Sequence, residues 1–347
     1  MPLDLDSPSA NPVLVEVTRG GVVESRHRGT AVVVDLEGRV TARWGDYTQP
    51  VFPRSAIKPV QALLLVESGA AQAFDLADRE VALACSSHGG EPGHVLPIAA
   101  WLSRIGLGID ALECGTHWPM HDLSAYALAA EGLAPSAIHN NCSGKHAGFL
   151  TAALHLGFPI RSYVQPTHPV QQRILGIMEQ VCGLRLSAAP MGIDGCSIPT
   201  FAIPLENLAY AFARFGVPDD LPPARAMAAR RIFKSMVENP FEVAGTGRYC
   251  TKLMQALGGR VMAKTGAEGV YCASLPEYGL GVAVKIDDGA SRAAEILIAA
   301  VLDHIGALDG LDDATRAGLL ETPLENRRGL RVGEVRSPAI GLAPGLF

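Results

Sequence analysis

The chain has 347 residues, 48% of them apolar, with 29 basic against 35 acidic side chains and a formal net charge of -6. That apolar share is enough for a full core and argues against disorder. A modest negative charge without a long basic run excludes nucleic acid and anionic membrane surfaces as natural partners. The start, MPLDLDSPSANP, carries acids where a secretory leader needs Lys or Arg followed by an apolar run. No uncharged apolar stretch of about 18 residues is present, so no spanning helix is expected. Seven cysteines (85, 114, 142, 182, 196, 250 and 272) are an odd number at irregular spacing. They read as reduced thiols of a cytoplasmic protein.

In chain order, 13–19, 30–34 and 39–44 read as strands rich in Val and Thr, with a turn at Asp35-Leu36-Glu37-Gly38. After Pro53 the apolar spacing becomes helical over 56–68, and Gly69 ends it. Helical patterns recur at 96–105, 121–131, 145–156, 171–181, 205–215, 223–238 and 251–257, separated by Gly- and Pro-rich loops. Strands return at 260–263, 269–275 and 280–286, then a long helix at 290–308 and a last strand near 330–335. The pattern predicts an α+β protein with one antiparallel sheet assembled from both chain ends and a helical region inserted between them. The expected division is 1–53 together with 258–347 as the sheet part and 54–257 as the helical part, making one composite catalytic unit.

The segment RSAIKP places Ser55 three residues before Lys58. On a helix such residues share a face, about 5–6 Å apart at Cβ. A serine hydroxyl needs a base to become a nucleophile, and a neutral lysine amine is one. A lysine near pKa 10.4 must lose roughly 3–4 kcal/mol of ammonium stability to serve near neutrality. S-x-x-K alone is common. Lys264-Thr265-Gly266, following a predicted strand, adds a second element in the order used by penicillin-binding proteins and class A β-lactamases. The third element of that group, S-D-N, is absent. Cys85-Ser86-Ser87-His88-Gly89-Gly90-Glu91 stands in the middle, and its Ser87 is a candidate partner for Lys264. His117 and His121 have metal-ligand spacing, but Pro119 between them and the missing H-E-x-x-H pattern argue against a metal there.

RSAIKP, CSSHGGE, NNCSGKHAGF, GIDGCSIPT and AGTGRYCTKLM together resemble the Rhizobium-type L-asparaginases, the asparaginase II group, over nearly the whole chain. The resemblance implies a serine-β-lactamase/glutaminase-like fold and hydrolysis of L-asparagine to aspartate and ammonia. It puts Ser55 with Lys58 in one Ser–Lys tandem, Ser55 in the nucleophile's place, and Ser87 with Lys264 in a second. It implies zinc held by Cys142, Lys145 and Cys250, and pocket roles for Arg54, His146 and Asp194. Gly89-Gly90 and Ile193 depart from residues found in relatives and leave the fine shape of the pocket open. The remaining expectations are a small-molecule substrate and a cytoplasmic homodimer. Rival readings are a β-lactamase or penicillin-binding-like enzyme, a glutaminase-type serine amidohydrolase, and a non-catalytic binding protein on the same scaffold.

Overall fold

The computed structural model describes residues 10–338. The described chain divides into two compact units. One comprises the residues up to Ala56, Ile203–Gly216 and everything from Ala263 on; the other comprises Ile57–Ala202 and Val217–Met262.

The first unit is built on an eight-stranded sheet. Its order is Glu321–Glu325, Arg331–Arg336, Val13–Arg19, Val22–Asp35, Leu280–Ile286, Val270–Leu275, Met262–Thr265, with Val40–Trp44 also paired to Val22–Asp35. The expected α+β class, with an antiparallel sheet drawn from both chain ends, is what the structure shows. The second strand starts at Val22, well before the predicted 30, because Gly20 and Gly21 both take positive φ and close a tight hairpin onto Val13–Arg19. Strand Val270–Leu275 is buried at all six positions, so both its faces are covered. The helices Leu205–Gly216 and Ser291–Ile305 pack against it.

Helix Leu205–Gly216 therefore belongs with the sheet, whereas the sequence places 54–257 together as the helical part. The reason is its apolar stripe of Leu205, Leu208, Ala209, Phe212 and Phe215, all buried. Gly281 on the facing strand lets it come close: a Cβ there would overlap the Ala209 carbonyl oxygen and the Ala213 amide nitrogen. Gly281→Ala is expected to destabilise the protein by about 3 kcal/mol or more, read from a lowered denaturant midpoint.

The second unit is helical. Helix Lys58–Glu67 buries every residue from Lys58 to Leu65, the polar Lys58 and Gln61 included, so it lies at the centre of this unit. Ser143–His155, Pro169–Cys182 and Pro223–Glu238 pack around it. Asp78–Ala84, a helix absent from the sequence expectations, packs against Ser143–His155 and Pro223–Glu238. Among the described residues no helix is long and apolar enough to cross a membrane.

Candidate active site

In the helical unit, Lys58 opens the central helix, with Pro59 beside it at a position where the missing N–H costs little. Its side chain is 1% exposed. The amine donates to the Ser86 carbonyl, and its Nζ lies 3.0 Å from Ser87 Oγ. Ser87 is buried too, and its backbone N–H donates to Val243 O at 2.9 Å. The Lys58 amine thus lies against the Ser87 hydroxyl.

The motif NNCSGKHAGF builds a rigid helix start. Asn140 accepts the Cys142 N–H at 2.9 Å and donates to the carbonyls of Cys114 and Gly115. Ser143 Oγ donates to Ile138 O. Gly144 is needed because a Cβ there would overlap the Leu83 carbonyl oxygen. This start presents Cys142 and Lys145. GIDGCSIPT forms a tight turn, with Ser197 N donating to Asp194 O, Asp194 N to Ile198 O, and Ser197 left-handed at φ 75°. The turn presents Cys196.

These pieces meet. Lys145 Nζ is 3.0 Å from Cys196 Sγ, and the Cys142 and Cys196 side chains share a hydrogen bond. The Cys142 bond, followed by the charge of Lys145, lowers the Cys196 thiol to about 5 against the pull of burial. That same bond and burial push Cys142 up to about 12. Burial works against the Lys145 ammonium, but the two sulfurs outweigh it and hold its pKa above the ordinary value. The two thiols are thus pushed in opposite directions beside the buried Lys145 amine.

His146 and Asp194 flank this group. His146 Nδ1 is 2.9 Å from Tyr163 OH, and its buried Nε2 has no partner among the described residues. Burial, then Lys145, pushes its pKa well below the usual value. Asp194 Oδ1 accepts the Gly195 N–H at 2.7 Å, and its charge is felt by both Lys145 and Cys196. Lys58 is within electrostatic reach of Cys142 and His146, which joins the Lys58–Ser87 pair to the thiol cluster.

Cys142, Lys145 and Cys196 supply sulfur and nitrogen donors of the kinds that can hold zinc. Cys250, expected as the second sulfur, sits buried on helix Tyr249–Ala256; the sulfur that reaches Lys145 is Cys196. Its signal was present in the sequence, as the one cysteine of the GIDGCS turn. Among the described residues no group of three or more His, Cys, Asp or Glu side chains is arranged for a metal, His117 and His121 included.

In the sheet unit, Ser55 lies in the 3₁₀ turn Arg54–Ile57, which runs directly into the central helix. Lys264 is fully buried on strand Met262–Thr265, with Nζ donating to Thr265 O at 2.8 Å. Gly266 brings this strand end against the Ser55 turn: a Cβ there would lie 2.5 Å from Pro53 O and 3.3 Å from Ala56 Cβ. The glycine of Lys-Thr-Gly thus admits the backbone that carries the serine. Arg54, just before it, holds a left-handed φ of 51° and lines a pocket of about 370 Å³ with Lys285, Glu268, Asp287 and Asp46.

The L-asparaginase II family model matches residues 15–337. The chain belongs to that family. It is an amidohydrolase of the asparaginase type, as the motifs led us to expect. No curated protein matches it. Among solved structures, this family member is similar to the crystal structure of Mglu at 15% identity and a TM-score of 0.46, over 82% of this chain and 69% of that one. A tris and glutamate form of Mglu matches at 15% identity and a TM-score of 0.47, over 87% and 65%. A β-lactamase from Mycobacterium bovis matches at 16% identity and a TM-score of 0.39, over 80% and 94%. The family member spans about two thirds of the length of the Mglu chains. At these scores the likenesses have no bearing on its chemistry.

Proposed function

We propose that this amidohydrolase cleaves the side-chain amide of L-asparagine through an acyl-enzyme on Ser55, releasing ammonia and then aspartate. The observation that carries the reading is the buried Lys58 amine on the hydroxyl of Ser87. Lys58 takes the Ser55 proton as the oxygen attacks the amide carbon. The proton passes by way of Ser87 to the departing nitrogen, which leaves as ammonia. Water then attacks the ester, giving its proton to Lys58, and the Ser55 hydroxyl is restored as aspartate departs. Backbone amides at the helix start stabilise the oxyanion, worth on the order of 3–4 kcal/mol per well-placed donor. Lys264 serves as the second lysine of the site, paired with Ser87. Arg54 receives the substrate α-carboxylate, Asp194 its α-ammonium, and His146 is a further substrate-binding residue of the proposal. The purified protein should release ammonia and aspartate in equal amounts from asparagine; release of neither from asparagine or glutamine, or hydrolysis of nitrocefin instead, defeats the reading.

Zinc is part of the proposal, held by Cys142, Lys145 and Cys196. When bound it supplies a fixed positive charge and Lewis acidity that orient a substrate oxygen. Lys145 must give up its proton to serve as a ligand. Cys196→Ala is expected to reduce the zinc retained after purification at least about 10-fold, as loss of one ligand should. Cys250→Ala should keep it. Elemental analysis of the two variants decides, and the reverse pattern returns Cys250 to the ligand set. None of the seven cysteines forms a disulfide in the structure, which supports a reducing, cytoplasmic setting. A homodimer is the proposed assembly.

A further inference from the structure

We propose that Glu91 is a positioning residue: its carboxylate ties the loop 86–91 to the loop 243–246 and so holds the Ser87 hydroxyl against Lys58. The inference rests on the reading of Ser87 and Lys58 given above, and every residue in it lies in the helical unit.

Glu91 ends the CSSHGGE motif and precedes helix Pro92–Arg104. It stands at the N-cap position but makes no side-chain cap there. Its carboxylate turns to Thr246, accepting the backbone N–H on Oε1 at 2.9 Å and the hydroxyl on Oε2 at 2.6 Å. The group is 8% exposed. Burial opposes its ionisation, yet the Thr246 bonds prevail and hold its pKa below the usual carboxylate value. Ring nitrogens of His94 and His121 stand 4.0 Å away on either side. Gly245 holds φ 116°, and a Cβ there would overlap Glu91 Oε1. The loop is shaped to receive this carboxylate.

The clamp leads to Ser87 on both sides. Across the loop pair, Ser87 N donates to Val243 O at 2.9 Å, two residues from the Gly245 turn that Glu91 grips. Within its own loop, Gly90 N donates to His88 Nδ1 at 3.1 Å. His88 Nε2 must then carry the proton, and it donates to Ser143 Oγ at 2.9 Å. His94 stacks between His88 and Phe241, with centroids 5.1 and 4.5 Å away, and its Nε2 bonds to Phe241 O. The Glu91–Thr246 bridge is the ionic, two-pronged member of this lattice, and such bonds fix geometry more strongly than neutral ones. The Glu91 carboxylate bonds to Thr246, and the Ser87 N–H bonds to Val243 O in the same segment, so the effect on Ser87 is transmitted by backbone.

The test uses Glu91→Ala, Glu91→Gln and Thr246→Val in the full chain. Glu91→Ala should lower kcat for asparagine about 100-fold, the cost of misplacing a reacting group by roughly an ångström. KM should stay within about 2-fold, because no ground-state contact is lost. Glu91→Gln, which still reaches both Thr246 groups, should recover kcat to within about 5-fold of wild type. Amide exchange at Ser87 and His88, which does not depend on turnover, should speed up about 10-fold in Glu91→Ala. If that variant does not fold, Thr246→Val removes one prong and should give the same pattern at about 10-fold in kcat. A kcat at half the wild-type value or above, unchanged exchange, or a rise in KM with kcat intact overturns the inference. A wild-type protein that does not hydrolyse asparagine overturns the proposed function, and the exchange arm still judges the clamp.

Discussion

Ser55→Ala is expected to lower asparagine hydrolysis by roughly 10⁴-fold or more while leaving the fold intact, as removal of a nucleophile does in serine hydrolases. The turn that holds Ser55 is fixed by backbone: Ala56 N donates to Pro53 O, and Gly266 abuts both Pro53 and Ala56. None of those contacts uses the Ser55 hydroxyl. Its loss should shift stability by less than about 1 kcal/mol. Ammonia release gives the activity, and denaturant unfolding shows that the variant is native. A variant keeping more than a few per cent of wild-type activity removes Ser55 from the nucleophile's role. Ser87, with Lys58 on its hydroxyl, then becomes the residue to replace next.

Lys58→Met and Lys58→Arg should each lower kcat by about 10³- to 10⁴-fold, in the range seen when a nucleophile loses its base. The pair separates two roles. Arginine keeps the positive charge and the donors but stays protonated at any working pH, so it cannot accept the serine proton. If Lys58 acts as the base, both variants are inactive. If it only donates to Ser86 O and Ser87 Oγ, the arginine variant should keep much of the activity. Methionine fills a similar volume in the buried site but leaves the Ser86 carbonyl without its donor, costing about 1–3 kcal/mol of stability. Measuring kcat beside unfolding free energy keeps the chemical loss apart from the structural one.

Much of the architecture was legible because it is local. Residues rich in Val and Thr gave the strand at 13–19, and apolar residues at helical spacing over 56–68 gave the central helix. The Lys-Thr-Gly strand was legible as chemistry, and its glycine proves to be where the strand meets the Ser55 turn. What escaped depends on contacts between distant residues. The amphipathic pattern at 205–215 predicts a helix but does not say which layer its stripe faces; Gly281, some seventy residues on, decides that. Cys196 escaped because a lone cysteine in a turn carries no spacing signal, and only the fold sets it against Lys145 and Cys142. The contact of Lys58 with Ser87 escaped because the two stand 29 residues apart and only the fold brings that amine to that hydroxyl. The part played by Glu91 escaped because its partner Thr246 lies 155 residues away in the chain.

The account's central claim is a covalent intermediate on one serine. Rapid acid quench of the enzyme during turnover of asparagine, followed by proteolysis and mass spectrometry, reads that claim directly. An aspartyl ester on the peptide carrying Ser55, absent from Ser55→Ala, is the predicted result. Steady turnover with no acylated peptide, or an ester on Ser87 instead, would contradict it.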